Sequence, residues 1–249
     1  MAAIKWVLAS DIDGTLVGHG GESELAQFLA QRSDIGVVYL TGRTRANAEM
    51  LIRRHGYPDP LALATDIGAD VYWGPDLRVD ENWAFQQRRD WSPRRVMRAL
   101  EEVDGVEFAG RSSHWRLAFQ VRDYHALSAA RTALVQDGVV QRSLWDEDEM
   151  RLDVVPRGAL KGRALKYILN RLNVRPQQCF VAGDAENDGD LMEGRYHGVL
   201  VANATIRLAE QLPPVIVRSP YEGAYGVLHG LRQFLDEPAS EVMETEYAG

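Results

Sequence analysis

Two acidic residues directly after an apolar segment are the first candidates for chemistry in this sequence. Asp11 and Asp13 follow the apolar run 6–9 and precede Gly14 and Thr15. A short run of this kind is typical of a strand that is buried on both faces of a parallel sheet. Ligands of open α/β sheets bind beyond the carboxyl ends of the strands. Two acids placed there can share a divalent cation through a carboxylate and a main-chain carbonyl, which leaves one acid to attack and the other to move a proton.

The same acidic turn has two simpler explanations. A calcium-binding loop that began at Asp11 would need glycine at its sixth position, where this sequence has Leu16. A turn of surface aspartates without a function stays open, because acidic turns that contain glycine are common. Only the rest of the chain distinguishes that explanation from a catalytic one.

Three more polar segments lie next to predicted strands or helices. Thr41 follows the predicted strand 37–40, Lys161 begins a predicted helix, and the acidic segment 183–188 follows the predicted strand 178–182. Because parallel strands end at one edge of their sheet, we expect these groups to meet the first acidic pair there.

The combined set matches the requirements of phosphoryl transfer through an enzyme aspartate. That reaction needs a carboxylate nucleophile, a metal that neutralises oxygens, an acid or base at the leaving group, and fixed donors for the other phosphate oxygens. Each segment alone has another interpretation: Thr41 and Gly42 as a helix cap, Lys161 as a solvated surface lysine, and 183–188 as an ordinary acidic loop. Their joint order along one chain favours phosphoryl transfer.

Strand and helix patterns alternate at both ends of the chain and change in the middle. The alternation predicts an α/β fold with a doubly wound, mainly parallel, Rossmann-like core. Between about 80 and 156 the elements read helix, strand, strand, helix, strand, strand, which predicts an inserted α+β cap domain with an antiparallel sheet. We therefore predict a catalytic core of residues 1–79 and 157–249, a cap of residues 80–156, and a frayed acidic tail at 236–249.

Composition limits the function classes. The net charge of −8 and the lack of a basic block argue against nucleic acid and anionic membranes as partners. No segment reaches the ~20 apolar residues of a membrane span, and no signal peptide is recognisable. The single cysteine, Cys179, is predicted to be a buried thiol, and it excludes an internal disulfide. These observations predict a cytoplasmic protein with a small-molecule partner, and we favour a monomer.

The polar segments resemble the motifs of the haloacid-dehalogenase superfamily of phosphatases. The chain has D-x-D-G-T at 11–15, a hydrophobic-T-G-R segment at 39–43, the lysine at 161, and G-D-x-x-N-D at 183–188. The inserted pattern resembles the larger cap class that serves sugar phosphates. Within that class the chain is similar to the sucrose-phosphatase family, on less specific stretches at 65–72, 82–83 with Trp91, 152–156 and 223–228.

The resemblance implies a role for each motif residue. Asp11 would attack phosphorus to form an aspartyl-phosphate, and Asp13 would protonate the leaving sugar oxygen and later activate water. The implied magnesium ligands are Asp11, the carbonyl of Asp13 and Asp184, with Asn187 and Asp188 ordering the metal shell. The implied catalytic and phosphate-binding positions share placement at strand or helix ends and are Asp11, Asp13, Thr41, Gly42, Lys161 and Asn187.

Substrate selection is assigned to the cap. Five of the six tryptophans lie between Trp73 and Trp145, and aromatic faces pack well against sugar rings. Trp115 alternates with Leu117 and Phe119, which favours a place in the cap core instead. The candidate substrate contacts are polar residues of the cap and of the segments beside it, namely Arg43, Asp66, His114, Arg116, Glu149 and Arg151.

The sequence therefore predicts a Mg²⁺-dependent sugar phosphatase that acts on a disaccharide phosphate such as sucrose 6-phosphate. Phosphatases of mannosylfructose phosphate, of glycosylglycerate phosphates or of monosaccharide phosphates would keep the same core. A phosphosugar mutase would also keep the aspartyl-phosphate and pass the group back to sugar. A non-catalytic binding module is disfavoured, because no polar motif position carries an apolar residue.

Overall fold

The computed structural model of the protein describes residues 4–89, 91–139, 141–193, 196–212 and 216–235. The chain divides into two compact units. The core unit comprises Met1–Gly68, Tyr72–Arg78 and Leu160–Gly249, and the inserted unit comprises Ala69–Val71 and Val79–Ala159. The predicted tail at 236–249 lies outside the described residues. That the inserted unit acts as a cap and selects the substrate stays a prediction.

The described strands are numbered in chain order. They are β1 (Trp6–Ser10), β2 (Ile35–Leu40), β3 (Ala62–Thr65), β4 (Asp70–Trp73), β5 (Arg78–Val79), β6 (Val106–Ser113), β7 (Arg116–Val121), β8 (Gln141–Asp146), β9 (Arg151–Pro156), β10 (Cys179–Gly183), β11 (His197–Leu200) and β12 (Ile216–Arg218). The described helices are α1 (Glu22–Gln31), α2 (Arg45–Arg54), α3 (Glu81–Arg88), α4 (Pro93–Leu100), α5 (Tyr124–Gln136), α6 (Lys161–Leu172), α7 (Gly189–Met192), α8 (Ile206–Gln211) and α9 (Gly223–Phe234).

An eight-stranded sheet in the order β12-β11-β10-β1-β2-β3-β4-β5 contains the parallel strands of the core unit. Strand pairing is parallel from β12 through to β3. β1 pairs with β2 on one side and with β10 on the other, so chain connections run outward from β1 in both directions. Such a reversal of strand order is where doubly wound sheets bind ligands. The predicted α/β doubly wound core is confirmed.

The central strands are apolar throughout because both faces of the sheet are covered. All six residues of β2 and all five of β10 are buried. α9 packs on β10 and β11 and against α1, and α6 packs on β2 and β3 and against α7. Cys179 is buried in β10, as predicted for a packed thiol. Among the described helices, none combines the length and the apolar character that a membrane span requires.

The inserted unit has a four-stranded antiparallel sheet in the order β6-β7-β9-β8. Alternate residues of β7 point into its core, where Leu117, Phe119 and Val121 pack with residues of α4 and α5. Trp115 is 1% exposed and belongs to the same core, which confirms its predicted structural place.

One helix of the inserted unit was missing from the prediction. α3 precedes the predicted helix, strand, strand, helix, strand, strand order, and its first turn is capped by the Asp80 carboxylate, which accepts a hydrogen bond from the Trp83 amide. The helix buries Trp83, Ala84 and Gln87. The narrow apolar stripe of a two-turn helix gives a weak periodic signal, and the cap at Asp80 was the available indication of it. The next helix, α4, begins at Pro93 after the Ser92 cap and ends at Leu100.

Candidate active site

The ends of adjacent parallel strands bring the first motif residues together. β1 lies between β2 and β10, so Asp11, Thr41 and Asp184 follow three neighbouring strands. The Asp11 amide donates a hydrogen bond to the carbonyl of Ala182, and the Thr41 amide donates to that of Ala64. The main chain of Asp11 and of Thr41 is therefore still hydrogen-bonded to the neighbouring strand.

A buried lysine joins two buried carboxylates at the centre of this edge. Lys161 is fully buried, and its Nζ lies 2.8 Å from Oδ1 of Asp11 and 2.8 Å from Oδ1 of Asp188. The same ammonium donates to Oδ1 of Asn187 over 3.1 Å. The alternative of a solvated surface lysine is therefore wrong. Asp11, Asn187, Asp188 and Lys161 form one hydrogen-bonded cluster.

The start of α6, which carries Lys161, is capped by a residue of another helix. The N-cap residue Leu160 has no capping side chain, but Oδ2 of Asp190 in α7 accepts a hydrogen bond from the Gly162 amide over 2.7 Å. A carboxylate at this end also complements the positive end of the helix dipole. Asp190 therefore caps α6 and sets the direction in which Lys161 enters the site.

Burial dominates the electrostatics of the cluster. It raises the pKa of Asp11 to about 8, although the charge of Lys161 opposes the shift. It also raises the pKa of Asp184 to about 6, against the hydrogen bond from Thr15. For Lys161, burial lowers the pKa, but the neighbouring carboxylates outweigh it and hold the pKa above its ordinary value. The ammonium stays charged, while the carboxylates gain from any further cation nearby.

The carboxylates also fit a divalent cation. Oxygens of Asp11, Asp184 and Asp188 all lie within 4.8 Å of one another. Gly14, at φ +75°, leaves the room that Asp184 needs, since a Cβ there would lie 2.2 Å from Oδ2 of Asp184. A set of hard oxygen donors without nitrogen or sulfur suits Mg²⁺. The residues therefore fit magnesium, with Asp11 and Asp184 as the direct candidates.

Asp188 is committed mainly to organising the loop that carries Asp184. Its Oδ1 accepts from Lys161, and its Oδ2 accepts from the amides of Asp184 and Ala185 at 3.1 and 3.2 Å. This approach requires Gly183, because a Cβ at that position would lie 2.6 Å from the carboxylate carbon of Asp188. The glycine of the G-D-x-x-N-D segment thus serves packing rather than chemistry.

The Thr41 loop is held by the turn that follows β3. The amide of Ile67 donates to the carbonyl of Thr41 over 2.9 Å, and the amide of Asp66 donates to that of Arg43 over 3.0 Å. Asp66 and Ile67 have φ values of +49° and +61°, a conformation that costs energy in residues other than glycine. Asp66, predicted as a substrate contact, is buried in this turn, where its backbone positions the Thr41 loop.

Arg43 reaches across the strand edge to Asp13. Its Nε lies 2.7 Å from Oδ2 of Asp13, and its Nη2 lies 2.5 Å from Oδ1. The Asp13 side chain is 45% exposed, so the carboxylate remains accessible from solvent. The structure thus brings Arg43 into the core site, against the second acid of the first motif.

Three of the four polar candidates of the inserted unit form a cluster of charges around Asp153. Arg116 and Arg151 lie 3.5 and 3.4 Å from the carboxylate of Asp153, and Arg151 also contacts Glu149. Burial raises the pKa of Asp153, and both arginines oppose that shift. His114 packs edge-on against the ring of Trp115.

The sequence patterns did not point to several residues of these sites. Thr15 donates to Oδ1 of Asp184 over 2.7 Å, and its place inside D-x-D-G-T was a usable signal. Asp153 was also recognisable, as a lone carboxylate within the apolar stretch 152–156. Asp190 and Asn203 had no motif around them. Asn203 donates to the carbonyl of Gly14 over 2.8 Å.

Comparison with known proteins gives matches over nearly the whole chain. The sequence model described as sucrose-6F-phosphate phosphohydrolase matches residues 4–235. Sucrose-phosphatase 1 from Nicotiana tabacum is 24% identical, over 94% of this chain and 60% of its own length. Mannosylfructose-phosphate phosphatase from Agrobacterium fabrum is 25% identical, over 92% and 96%. The chain spans 30% to 72% of the lengths of the first five curated relatives.

A solved structure has the same fold. The sucrose-phosphatase from Synechocystis sp. PCC6803, determined in complex with sucrose and phosphate, superposes with a TM-score of 0.80 at 23% sequence identity. The match covers 92% of this chain and 98% of that chain. Because the family model matches residues 4–235, this chain belongs to the sucrose-6F-phosphate phosphohydrolase family.

Proposed function

We propose that this protein is a magnesium-dependent phosphatase that hydrolyses a disaccharide phosphate, such as sucrose 6-phosphate, through an aspartyl-phosphate on Asp11. The observation that carries the proposal is the buried Asp11–Lys161–Asp188 cluster at the reversal of strand order, in a chain of this family. A buried carboxylate beside a fixed ammonium can attack a phosphate ester whose negative charge would otherwise repel it.

In the first step, a carboxylate oxygen of Asp11 forms a bond to phosphorus as the bond from phosphorus to the sugar oxygen breaks. Asp13 gives its proton to that leaving oxygen, so the sugar departs as an alcohol. Lys161 lies within hydrogen-bond distance of Asp11 and stabilises the charge that gathers on the phosphate oxygens. Thr41 and Gly42 hold the remaining phosphate oxygens in this proposal.

In the second step, Asp13 takes a proton from water, whose oxygen attacks phosphorus and displaces Asp11. The products are inorganic phosphate and the regenerated carboxylate. The accessible side chain of Asp13 suits this exchange with solvent, whereas Asp11 is only 5% exposed. In this proposal the exposed acid moves the proton, and the buried acid attacks phosphorus as a carboxylate, which a bound cation favours over its protonated form.

Bound Mg²⁺ would neutralise phosphate oxygens during both steps. Asp11 and Asp184 would hold it, together with the carbonyl of Asp13. Asn187 and Asp188 would hold these ligands in place: both accept hydrogen bonds from Lys161, and Asp188 also accepts from the Asp184 amide.

We assign substrate selection to the inserted unit. The charged cluster of Arg116, Glu149, Arg151 and Asp153 offers donors and acceptors of the kind that recognise sugar hydroxyls. The similarity to both sucrose-phosphatases and a mannosylfructose-phosphate phosphatase favours a disaccharide substrate without selecting the second sugar.

The test is phosphate release, with and without Mg²⁺, from sucrose 6-phosphate, mannosylfructose phosphate, a glycosylglycerate phosphate and hexose phosphates. One disaccharide phosphate turned over far faster than the rest, only with Mg²⁺, supports the proposal and names the substrate. Weak and even release across the panel contradicts the disaccharide assignment. Isomerised sugar phosphate without free phosphate contradicts hydrolysis and indicates a mutase.

A further inference from the structure

The loop after β11 lies beside two catalytic loops although it contributes no motif residue. Nδ2 of Asn203 donates to the carbonyl of Gly14 over 2.8 Å, and its Oδ1 accepts from the amide of Gly223 over 2.8 Å. Two residues later, the Thr205 amide donates to the carbonyl of Asp184 over 2.9 Å. One short loop therefore holds the peptides of both Gly14 and Asp184.

The position of Gly14 is directly coupled to that of Asp184. A Cβ on Gly14 would lie 2.2 Å from Oδ2 of Asp184, so the two groups have no free space between them. Thr15, the next residue, donates to Oδ1 of the same carboxylate. A rotation of the Gly14 peptide would therefore displace a carboxylate that fits a metal ion.

The other end of the Asn203 amide is anchored on a rigid element. Gly223 is the first residue of α9, which packs against α1, β10 and β11. Glu222 beside it pairs with His19 over 3.1 Å, and Tyr225 donates to Glu24 over 3.1 Å. Asn203 therefore links the Gly14 peptide to a helix that is packed on the sheet.

We propose that Asn203 is a positioning residue for phosphoryl transfer. It fixes the Gly14 peptide against Asp184, so that the Asp184 carboxylate keeps the direction in which it meets Asp11. It touches no reacting atom. The catalytic part of this role rests on the proposed function. The effect of Asn203 on the Asp184 carboxylate can be measured separately, as Mg²⁺ affinity.

The test uses Asn203→Asp, which keeps an acceptor for the Gly223 amide but places an oxygen against the Gly14 carbonyl. Partners that orient metal ligands typically contribute about 10- to 100-fold in metal affinity. We expect Mg²⁺ affinity, measured by calorimetry without substrate, to fall by about tenfold or more, and kcat to fall with it. The KM for the sugar phosphate should change much less. Asn203→Ala, which adds no charge, serves if Asn203→Asp does not fold.

Gln178→Glu is the matched control, because Gln178 Nε2 likewise donates to a main-chain carbonyl, that of Lys5, over 3.1 Å, but at the start of β1 rather than at its catalytic end. It should lower the melting temperature while leaving Mg²⁺ affinity and kcat unchanged. Equal Mg²⁺ affinities in wild type and in both Asn203 variants would overturn the proposal. A wild type that binds Mg²⁺ but releases no phosphate would contradict the proposed function, while the calorimetric comparison would still decide the role of Asn203.

Discussion

The two charged clusters of this protein differ in how their charges are fixed. In the core unit, Lys161 and Asp188 are fully buried; two backbone amides hold the Asp188 carboxylate, and the cap from Asp190 holds the start of the helix that carries Lys161. In the inserted unit, Asp153 and Arg116 are largely buried but Arg151 and Glu149 are 34% and 58% exposed, and these charged side chains mainly contact each other. Fixed charges suit chemistry, which requires pre-organisation, whereas adaptable charges suit selection among related sugars.

The largest expected effect comes from removing the nucleophile. Asp11→Asn keeps the shape of the side chain but removes the attacking carboxylate. We expect kcat for the best sugar phosphate to fall by more than about 10³-fold, because the covalent step is lost. Phosphate release measures the fall in kcat. Asp59→Asn, at an exposed position, is the control that should retain activity. Full turnover by Asp11→Asn would refute the covalent mechanism.

The comparison of burial predicts unequal effects on stability. Lys161→Met leaves two buried carboxylates without their cation, and we expect it to destabilise the fold by about 3–5 kcal/mol. Arg151→Met removes a partly exposed charge and leaves Arg116 beside Asp153, so it should cost about 0–1 kcal/mol. Urea denaturation monitored by circular dichroism measures both free energies of unfolding. Similar values for the two variants would remove the proposed distinction between the clusters.

The raised pKa values of Asp11 and Asp184 predict how metal and pH act together. Their values of about 8 and about 6 exceed the ordinary value of roughly 4, so the folded chain holds protons that the unfolded chain has released. The stability of the metal-free protein therefore falls as the pH rises from about 4 to about 8. Mg²⁺ at 100 times its Kd should add about 2.7 kcal/mol.

Because the cation competes with these protons, the rise in melting temperature on adding Mg²⁺ should be larger at a pH of about 8.5 than at about 5.5. Thermal unfolding with and without EDTA measures it. Asp184→Asn should reduce the Mg²⁺ effect at the higher pH. A Mg²⁺ effect that is independent of pH would contradict the assignment of these carboxylates as ligands.

The smallest expected effect concerns selection in the inserted unit. Arg151→Gln should raise the KM for the preferred sugar phosphate by about tenfold, through loss of a charged hydrogen bond. Hydrolysis of p-nitrophenyl phosphate, which has no sugar, should stay unchanged. Arg122→Gln, which removes an exposed ion pair with Asp104 in the same unit, is the control. Equal loss with both substrates would place Arg151 outside sugar recognition.

The sequence by itself determined the core fold and the strand-end residues. Apolar runs that end in Asp11, Thr41 and Asp184 predict parallel strands with polar groups at one edge, and the sheet order confirms that these strands are neighbours. The alternation around Trp115 likewise predicted its buried place. These predictions succeed because hydrophobic periodicity reports local burial directly. The same dependence explains why α3 was not predicted: its apolar stripe is too short to give a clear periodic pattern.

Only the tertiary structure decided which side chains meet. Thr15 and Asp184 are 169 positions apart, and Asn203 lies 189 positions from Gly14. Their contacts depend on strand order and on the loops around it, which no local pattern specifies. The burial of Lys161 is likewise a property of the packed helices and loops, and that burial turns an ordinary surface residue type into the charged centre of the site.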